Sequence, residues 1–373
     1  MRLAFDAKRA LNNSTGLGNH ARILLNALLR DFPGNAYLLF TPKLQAQFLD
    51  ALQGDFSLHL PETKFQQSFR SLWRSFHCKQ QLLRERVDIY HGLSNELPFG
   101  IHSTGIATVV TIHDLIFLKH KEQYPYIDRK IYEAKTRYAA KHADKVIAVS
   151  QQTKEQLIEL YKTPASKIEV INPSVEPVFY GECSTAEKEA AITKYQLPNN
   201  YLLCVGSFFP RKNHKTILEA FALIAKQTEY HLVLAGGSGN QKQEIEQQIH
   251  CLGLSNRVHI RSSITNADMP AVYQQSKALI TASFFEGFGA PVLEGLFSRI
   301  PVIASDIPSH REAGGNGALY FNPNSAEELA HQLTQVLNNT PLRTQLERDG
   351  YTHALQHTDT IWAQQTMQLY NKL

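Results

Sequence analysis

A chain of 373 residues, 43% hydrophobic and 19% charged, with a net charge of +4, is comfortable for two domains and long for a single core. The positive charge is too weak and dispersed for a dedicated nucleic-acid binder, though it suits a protein that handles phosphates or approaches anionic lipid. No apolar run approaches the roughly 18 residues needed to span a bilayer.

The start, Met1-Arg2-Leu3-Ala4-Phe5-Asp6, turns polar too early for a signal peptide. Cys78, Cys183, Cys204 and Cys251 lie far apart with no Cys-x-x-Cys pair. That reads as scattered thiols in a reducing compartment and argues against zinc. The expectation is a cytoplasmic protein, with peripheral membrane contact left open.

In chain order, strands are predicted at Arg2–Phe5, Tyr37–Thr41, Asp88–Gly92, Ala107–Ile112 and Lys145–Ser150. A second set follows at Tyr201–Gly206, His231–Ala235, Val258–Arg261, Ala278–Thr281, Pro301–Ala304 and Ala318–Phe321. Most are continuous apolar runs, as parallel strands covered on both faces require, and helix-period stretches separate them. The fold class is therefore α/β. A Pro-punctuated break at Asn172–Gly181 follows a strand and is the best linker. The halves are alike in size and character. They predict two Rossmann-like domains facing each other across a cleft, with ligands beyond the carboxyl ends of the strands.

Six places carry chemistry. Thr15-Gly16-Leu17-Gly18-Asn19-His20-Ala21 satisfies a dinucleotide glycine pattern, but it lies too far from the first strand and lacks the following acid, so a nicotinamide site is rejected. Asp6 and Lys8-Arg9, just ahead of it, read first as solvated charges and second as contacts to an acceptor. Phe65 to Val87 holds Phe65, Phe69, Leu72, Trp73 and Phe76 at helical spacing among six cations. The spacing fits an amphipathic helix packed on its domain, or a basic aromatic helix on anionic lipid in which Trp73 and Arg74 take part. His91 to Pro98 offers Ser94, Asn95 and Glu96 for acceptor hydroxyls, or a turn capped by Asn95. Thr111-Ile112-His113-Asp114 ends a strong strand. His113 is either a site residue or a core histidine satisfied by backbone. Asp114 either orients its ring or caps the next segment.

Gly206-Ser207-Phe208-Phe209-Pro210-Arg211-Lys212-Asn213-His214 closes a strand and opens a helix. Helix starts favour acids, so the Arg211-Lys212 pair is locally unfavourable and points to an anionic ligand. Finally, Glu286 and Glu294 flank Gly287-Phe288-Gly289-Ala290-Pro291. Glycines after a strand turn the backbone, and Pro291 suits the first helical position. Such a helix start attracts an anion. Two carboxylates beside it make sense if the anion is flanked by hydroxyls, as in a nucleotide sugar.

The Arg-Lys-Asn-His turn, the Glu286–Glu294 segment, Pro301-Val302-Ile303-Ala304-Ser305 and His310-Arg311-Glu312-Ala313-Gly314-Gly315 resemble the family-four retaining glycosyltransferases of the GT-B fold. The similarity extends over most of the chain and is strongest to bacterial mannosyltransferase-like members that build surface polysaccharides. The resemblance implies an acceptor-side domain over 1–175, a nucleotide-sugar domain over 176–356, and a final helix, 357–373, returning to the first domain. It implies that Glu286 holds the hydroxyls of the transferred sugar and Glu294 the ribose. The amides of Gly287, Phe288 and Gly289 approach sugar and phosphate, with Gly206, Arg211 and Lys212 at the diphosphate. Gly16 and Gly18 form a loop against the donor phosphate, and His113 hydrogen-bonds the donor sugar near the reacting carbon. Ser94, Asn95 and Asp114 fall on the acceptor side. One departure is Arg299, where the family has a glycine suited to a left-handed helix terminus.

No Asp-x-Asp occurs in the chain, which fits charge neutralisation by Arg211, Lys212 and the helix terminus without metal or cofactor. The function implied is hexose transfer, mannose first, from a nucleotide sugar to a glycan or lipid-linked sugar. GDP-mannose leads and a UDP-sugar is the alternative donor. A GT-B-like epimerase and an inactive sugar-binding protein are more remote readings.

Overall fold

The apolar runs become parallel strands in the computed structural model, which describes residues 1–121, 124–237 and 239–373. The chain divides into two compact units. The first is Met1–Glu176 with Thr358–Leu373, and the second is Pro177–His357.

The first unit holds β1 (Arg2–Asp6), β2 (Ala36–Phe40), β3 (Ser57–His59), β4 (Ile89–Gly92), β5 (Ala107–Ile112), β6 (Lys145–Ala148) and β7 (Ile168–Val170) in the order β3-β2-β1-β4-β5-β6-β7. Each pairing is parallel. In β1, Leu3 and Phe5 face one core with Leu24, Leu28 and Trp362, while Ala4 faces the other with Trp73 and Tyr90. Alternation with both faces buried explains the unbroken apolar run.

The second unit holds β8 (Tyr201–Val205), β9 (His231–Ala235), β10 (Val258–Arg261), β11 (Leu279–Thr281), β12 (Val302–Ser305) and β13 (Ala318–Phe321) in the order β10-β9-β8-β11-β12-β13. It too is wholly parallel. In each unit the chain winds outward one way from its first strand, then returns to that strand's other side. This leaves a switch point between β1 and β4 and another between β8 and β11. Backbone connections diverge there and open a crevice at the carboxyl ends.

The segment from Phe65 is not one helix. It runs as Lys64–Ser68, Arg70–Leu72, a π-turn at Trp73–His77 and a helix at Cys78–Arg84. Trp73, which the lipid reading of this segment placed at an exposed edge and the packing reading inside, is 1% exposed. The π-turn carries it inward to stack at 6.5 Å from Phe40. Arg74 is buried as well. The residues left outside are Phe65, Phe69, Leu72 and Phe76.

Candidate active site

Arg211 and Lys212 lie on a single 3-10 turn, Pro210–Lys212, that leaves β8. Asn213 follows in the left-handed region at φ +54° and starts the His214–Ile224 helix. Its side-chain amide donates to Ala282 O at 3.2 Å and Pro323 O at 2.7 Å, and its Oδ1 accepts from Thr216 Oγ1 at 3.0 Å. Phe284 N donates to Arg211 O at 2.9 Å. These bonds tie the turn after β8 to the loop after β11 across the switch point.

Glu286 stands on that second loop. Its Oε1 lies 2.6 Å from Lys212 Nζ, and its Oε2 lies 3.0 Å from Arg211 Nη1. Ser283 Oγ donates to Oε1 at 2.7 Å. Burial opposes ionisation of Glu286, but Lys212 and Arg211 overcome it and hold its carboxyl down at about 2. A cross-bracing set lies behind it. Ser305 Oγ donates to Ser283 O at 2.6 Å, and His310 Nδ1 lies 3.0 Å from Ser305 Oγ. Burial pushes His310 down to about 4, so it packs as a neutral ring.

Gly289 takes φ +124°, and a Cβ there would lie 3.1 Å from His310 Cδ2. Only glycine combines that dihedral with that approach. The Ala290–Phe297 helix follows. Pro291 falls at its second position, not the first, because Ala290 already has helical geometry. Gly287 is half-buried and Phe288 buried, so the Phe288 side chain belongs to the packing and only its backbone can face a ligand. Glu294, one turn on, accepts from Tyr273 Oη at 2.5 Å.

Sequence reasoning missed Ser283, Tyr273 and the glycines after β9. A Cβ on Gly236 would meet Gly206 O at 1.9 Å, and one on Gly239 would meet Phe208 O at 2.2 Å. The glycine run was the available signal. Ser283 and Tyr273 gave none, since their partners are set by tertiary folding. The Lys212 side chain crosses Gly206, with Cε 3.3 Å from a Cβ added there.

In the first unit His113 leaves β5. Its backbone N donates to Asn95 Oδ1 at 2.9 Å, and its Nε2 donates to Leu93 O at 2.9 Å. Burial draws it down to about 4, with Leu93 O pulling the other way. It is thus a backbone-satisfied histidine that also lines a cavity of about 190 Å³, with Arg9, Ser94, Glu96, Tyr132 and Lys135. Asn95, at φ +59°, spends its side-chain oxygen on His113. Asp114 Oδ1 accepts from Ile116 N at 3.0 Å and caps the short helix there. Gly18 is required by packing, since a Cβ would sit 1.9 Å from Asn13 O, whereas Gly16 meets open space.

Asp6 is no solvated charge. It is 2% exposed and accepts from Arg74 Nε at 3.0 Å. Arg74 Nη1 also reaches Glu96 at 2.5 Å, and Lys135 Nζ lies 2.9 Å from the same oxygen. Burial works against the Glu96 charge, but these two cations hold its carboxyl at about 2.

The family described as glycosyl transferases group 1 matches residues 186–353, and the one described as glycosyltransferase family 4 matches residues 14–179. The two matches together span most of the chain, which is a glycosyltransferase. The O-antigen chain mannosyltransferase B of Escherichia coli is 26% identical over the full length of both proteins. The O-antigen chain mannosyltransferase RfbU of Salmonella typhimurium is 28% identical over 57% of this chain and 56% of its own. Anabaena HepE, solved in complex with UDP-glucose, superposes with a TM-score of 0.78 at 18% identity over all of both chains. That likeness establishes the fold. This glycosyltransferase is a GT-B protein with two parallel-sheet Rossmann-like halves, and its family makes it a hexosyltransferase.

Proposed function

We propose that this glycosyltransferase moves mannose from a nucleoside-diphosphate sugar to a hydroxyl of a glycan or lipid-linked glycan, with retention at the anomeric carbon. The observation that carries the reading is the triad Glu286–Arg211–Lys212 at the β8/β11 switch point. Two cations face one carboxylate there, on loops braced so firmly that their positions are preset. A departing diphosphate needs those cations, and the hydroxyls of the sugar need the carboxylate. Preorganised donors of this kind are worth about 10²–10³ in rate each. Glu294, braced by Tyr273, takes the ribose hydroxyls. Mannose is favoured by the O-antigen mannosyltransferases named above.

In the reaction the bond from the anomeric carbon to the diphosphate oxygen breaks, and one to the acceptor oxygen forms on the same face. The acceptor proton passes to the departing phosphate. Arg211 and Lys212 hold the charge that builds there. His113 hydrogen-bonds the donor sugar near the reacting carbon, while Ser94 and the cation-held Glu96 beside it serve the hydroxyls of the acceptor. Charge on this route is balanced by side chains and the helix terminus.

Membrane contact is proposed at Phe65, Phe69, Leu72 and Phe76, which are all exposed. Lys64 and Arg70 stand beside them in the sequence, an arrangement that suits an anionic lipid surface.

A thermal-shift panel of GDP-mannose, UDP-glucose, UDP-GlcNAc, UDP-galactose and ADP-glucose tests the donor. A ligand at 100 times its Kd stabilises by about 2.7 kcal/mol. The expected result is a shift with GDP-mannose. A shift with a UDP-sugar alone moves the assignment to that donor, and no shift with any of them sinks the reading.

A further inference from the structure

His20 takes no part in the chemistry above. It lies on the second turn of the Gly16–Asp31 helix. Its two ring nitrogens are buried, and neither has a hydrogen-bond partner among the described residues. An unpaired buried polar atom costs about 1–3 kcal/mol, so hydrogen bonding does not account for an imidazole here. Its ring is instead wedged between two others. It meets His113 at 4.3 Å with planes at 76°, and Trp362 at 4.5 Å with planes at 68°. Trp362 is itself fixed, 3% exposed in the core of the first unit.

His113 needs such a wedge. Its ring is held by one hydrogen bond, Nε2 to Leu93 O. A single bond fixes that corner but lets the ring swing about the bond line. Edge-to-face ring pairs are worth about 0.5–1.5 kcal/mol each beyond the area they bury. One such contact on His113, backed by another on Trp362, is enough to select one ring plane. With Nε2 engaged, Nδ1 is the atom left to meet a ligand, and its direction follows the plane.

We propose that His20 is a positioning residue for His113: wedged against Trp362, it sets the plane of the His113 ring and hence the direction in which Nδ1 meets a bound substrate. The inference rests on the placement of His113 at the reaction site. It adds that the Asp359–Tyr370 helix, which carries Trp362, reaches that site through His20.

The test uses the full chain with His20→Ala and His20→Phe, the second keeping an aromatic edge. Without substrate, imidazole 15N relaxation dispersion reports motion of the His113 ring. The wild type and His20→Phe are expected to show no exchange at that ring, and His20→Ala exchange between ring planes with Nε2 still protonated. In a transfer assay, His20→Ala should lower kcat by about 10- to 100-fold with donor KM within about 3-fold, and His20→Phe should restore kcat to within about 3-fold of wild type. Should His20→Ala fail to fold, His20→Leu replaces it with the same expected losses. A variant lacking the ring that keeps wild-type kcat and a His113 ring without exchange would overturn the proposal. So would a loss in KM alone, or a His20→Phe no better than His20→Ala. If the wild type transfers no sugar, the transferase reading falls while the 15N comparison still decides the role of His20.

Discussion

At the scale of single residues, the decisive property of Glu286 is that its charge is maintained against burial. Replacing it by glutamine removes the partner of two cations and the proposed acceptor for sugar hydroxyls. Glu286→Gln should cut kcat by about 10²–10³, while Glu294→Gln should mainly raise donor KM. Steady-state kinetics with the donor that the thermal-shift panel selects checks both, and the reverse pattern would undo the division of labour. Acid stability follows from the same groups. Glu286 and Glu96 are held at about 2 in the fold, below the ordinary value of about 4.3 in an unfolded chain. Their stabilisation is therefore complete above the unfolded value and is lost as pH falls toward 2. His113 and His310 are held at about 4 against about 6.5 unfolded. Between those values the unfolded chain binds the extra proton, so their loss starts near pH 6.5 and ends near 4. Each group contributes up to about 1.4 kcal/mol per pH unit in its window. Urea midpoints should fall from pH 6.5 downward in two overlapping stages. Glu286→Gln should flatten the lower stage, and an unchanged lower stage would count against the ion triad.

At the scale of elements, helix ends and the 64–84 segment carry the lessons. Arg299 adopts φ +56° after the Ala290–Phe297 helix. Ile300 N reaches back to Gly295 O at 3.3 Å, the cross-turn bond of a left-handed terminus. A side chain there costs about 1–2 kcal/mol. Arg299 offsets it by lying 4.1 Å over the Tyr351 ring and pairing with Glu182. Arg299→Gly should thus change stability by under about 1 kcal/mol, measured by chemical denaturation. A large loss would mean that the Tyr351 contact does more than offset strain. For the lipid surface, Phe65→Ser with Phe69→Ser should reduce binding to anionic vesicles without lowering the melting temperature, because both rings are exposed. Trp73 and Arg74 are unsuitable for that experiment, being core residues.

These elements also show what the sequence made legible. β1, β2, β4 to β6 and β8 to β13 fall within two residues of the strands predicted, because doubly covered parallel strands write themselves as apolar runs. β3 (Ser57–His59) and β7 (Ile168–Val170) were missed because three residues at a sheet edge carry no such run. The π-turn was missed because one extra residue per turn leaves helical spacing nearly intact while rotating Trp73 and Arg74 inward. Asp6 was misjudged for a related reason, since its partner stands 68 positions away. Glu286, Arg211 and Lys212 were legible because each breaks a local preference that only a shared site explains. Tyr273 and Ser283 break none.

At the scale of the whole molecule, each unit has its own core. The core of the first is completed by Trp362, Met367, Leu369 and Tyr370. Tyr370 Oη also meets His91 Nδ1 at 2.5 Å, and Arg30 pairs with Asp359 at 2.8 Å. Burying each large apolar side chain contributes about 1.5–3 kcal/mol. Together they approach the whole net stability of a domain, about 5–15 kcal/mol. Deleting Asp359–Leu373 should therefore unfold the first unit and leave Pro177–His357 folded. Hydrogen exchange read by mass spectrometry would show protection lost in β1 to β7 and kept in β8 to β13. Uniform loss, or none, would contradict two separate cores.

The chain leaves the first unit after Glu176 and re-enters it at Thr358. Topologically the second unit is an insertion within the first. On a ribosome this inverts the order of appearance. The second unit can finish folding as soon as its own stretch has emerged, while the half begun earlier stays open until Thr358–Leu373 follows. The Glu286–Arg211–Lys212 cluster would be in place before the His113 loop is locked, so a chain stalled or clipped before Thr358 would carry the first without the second.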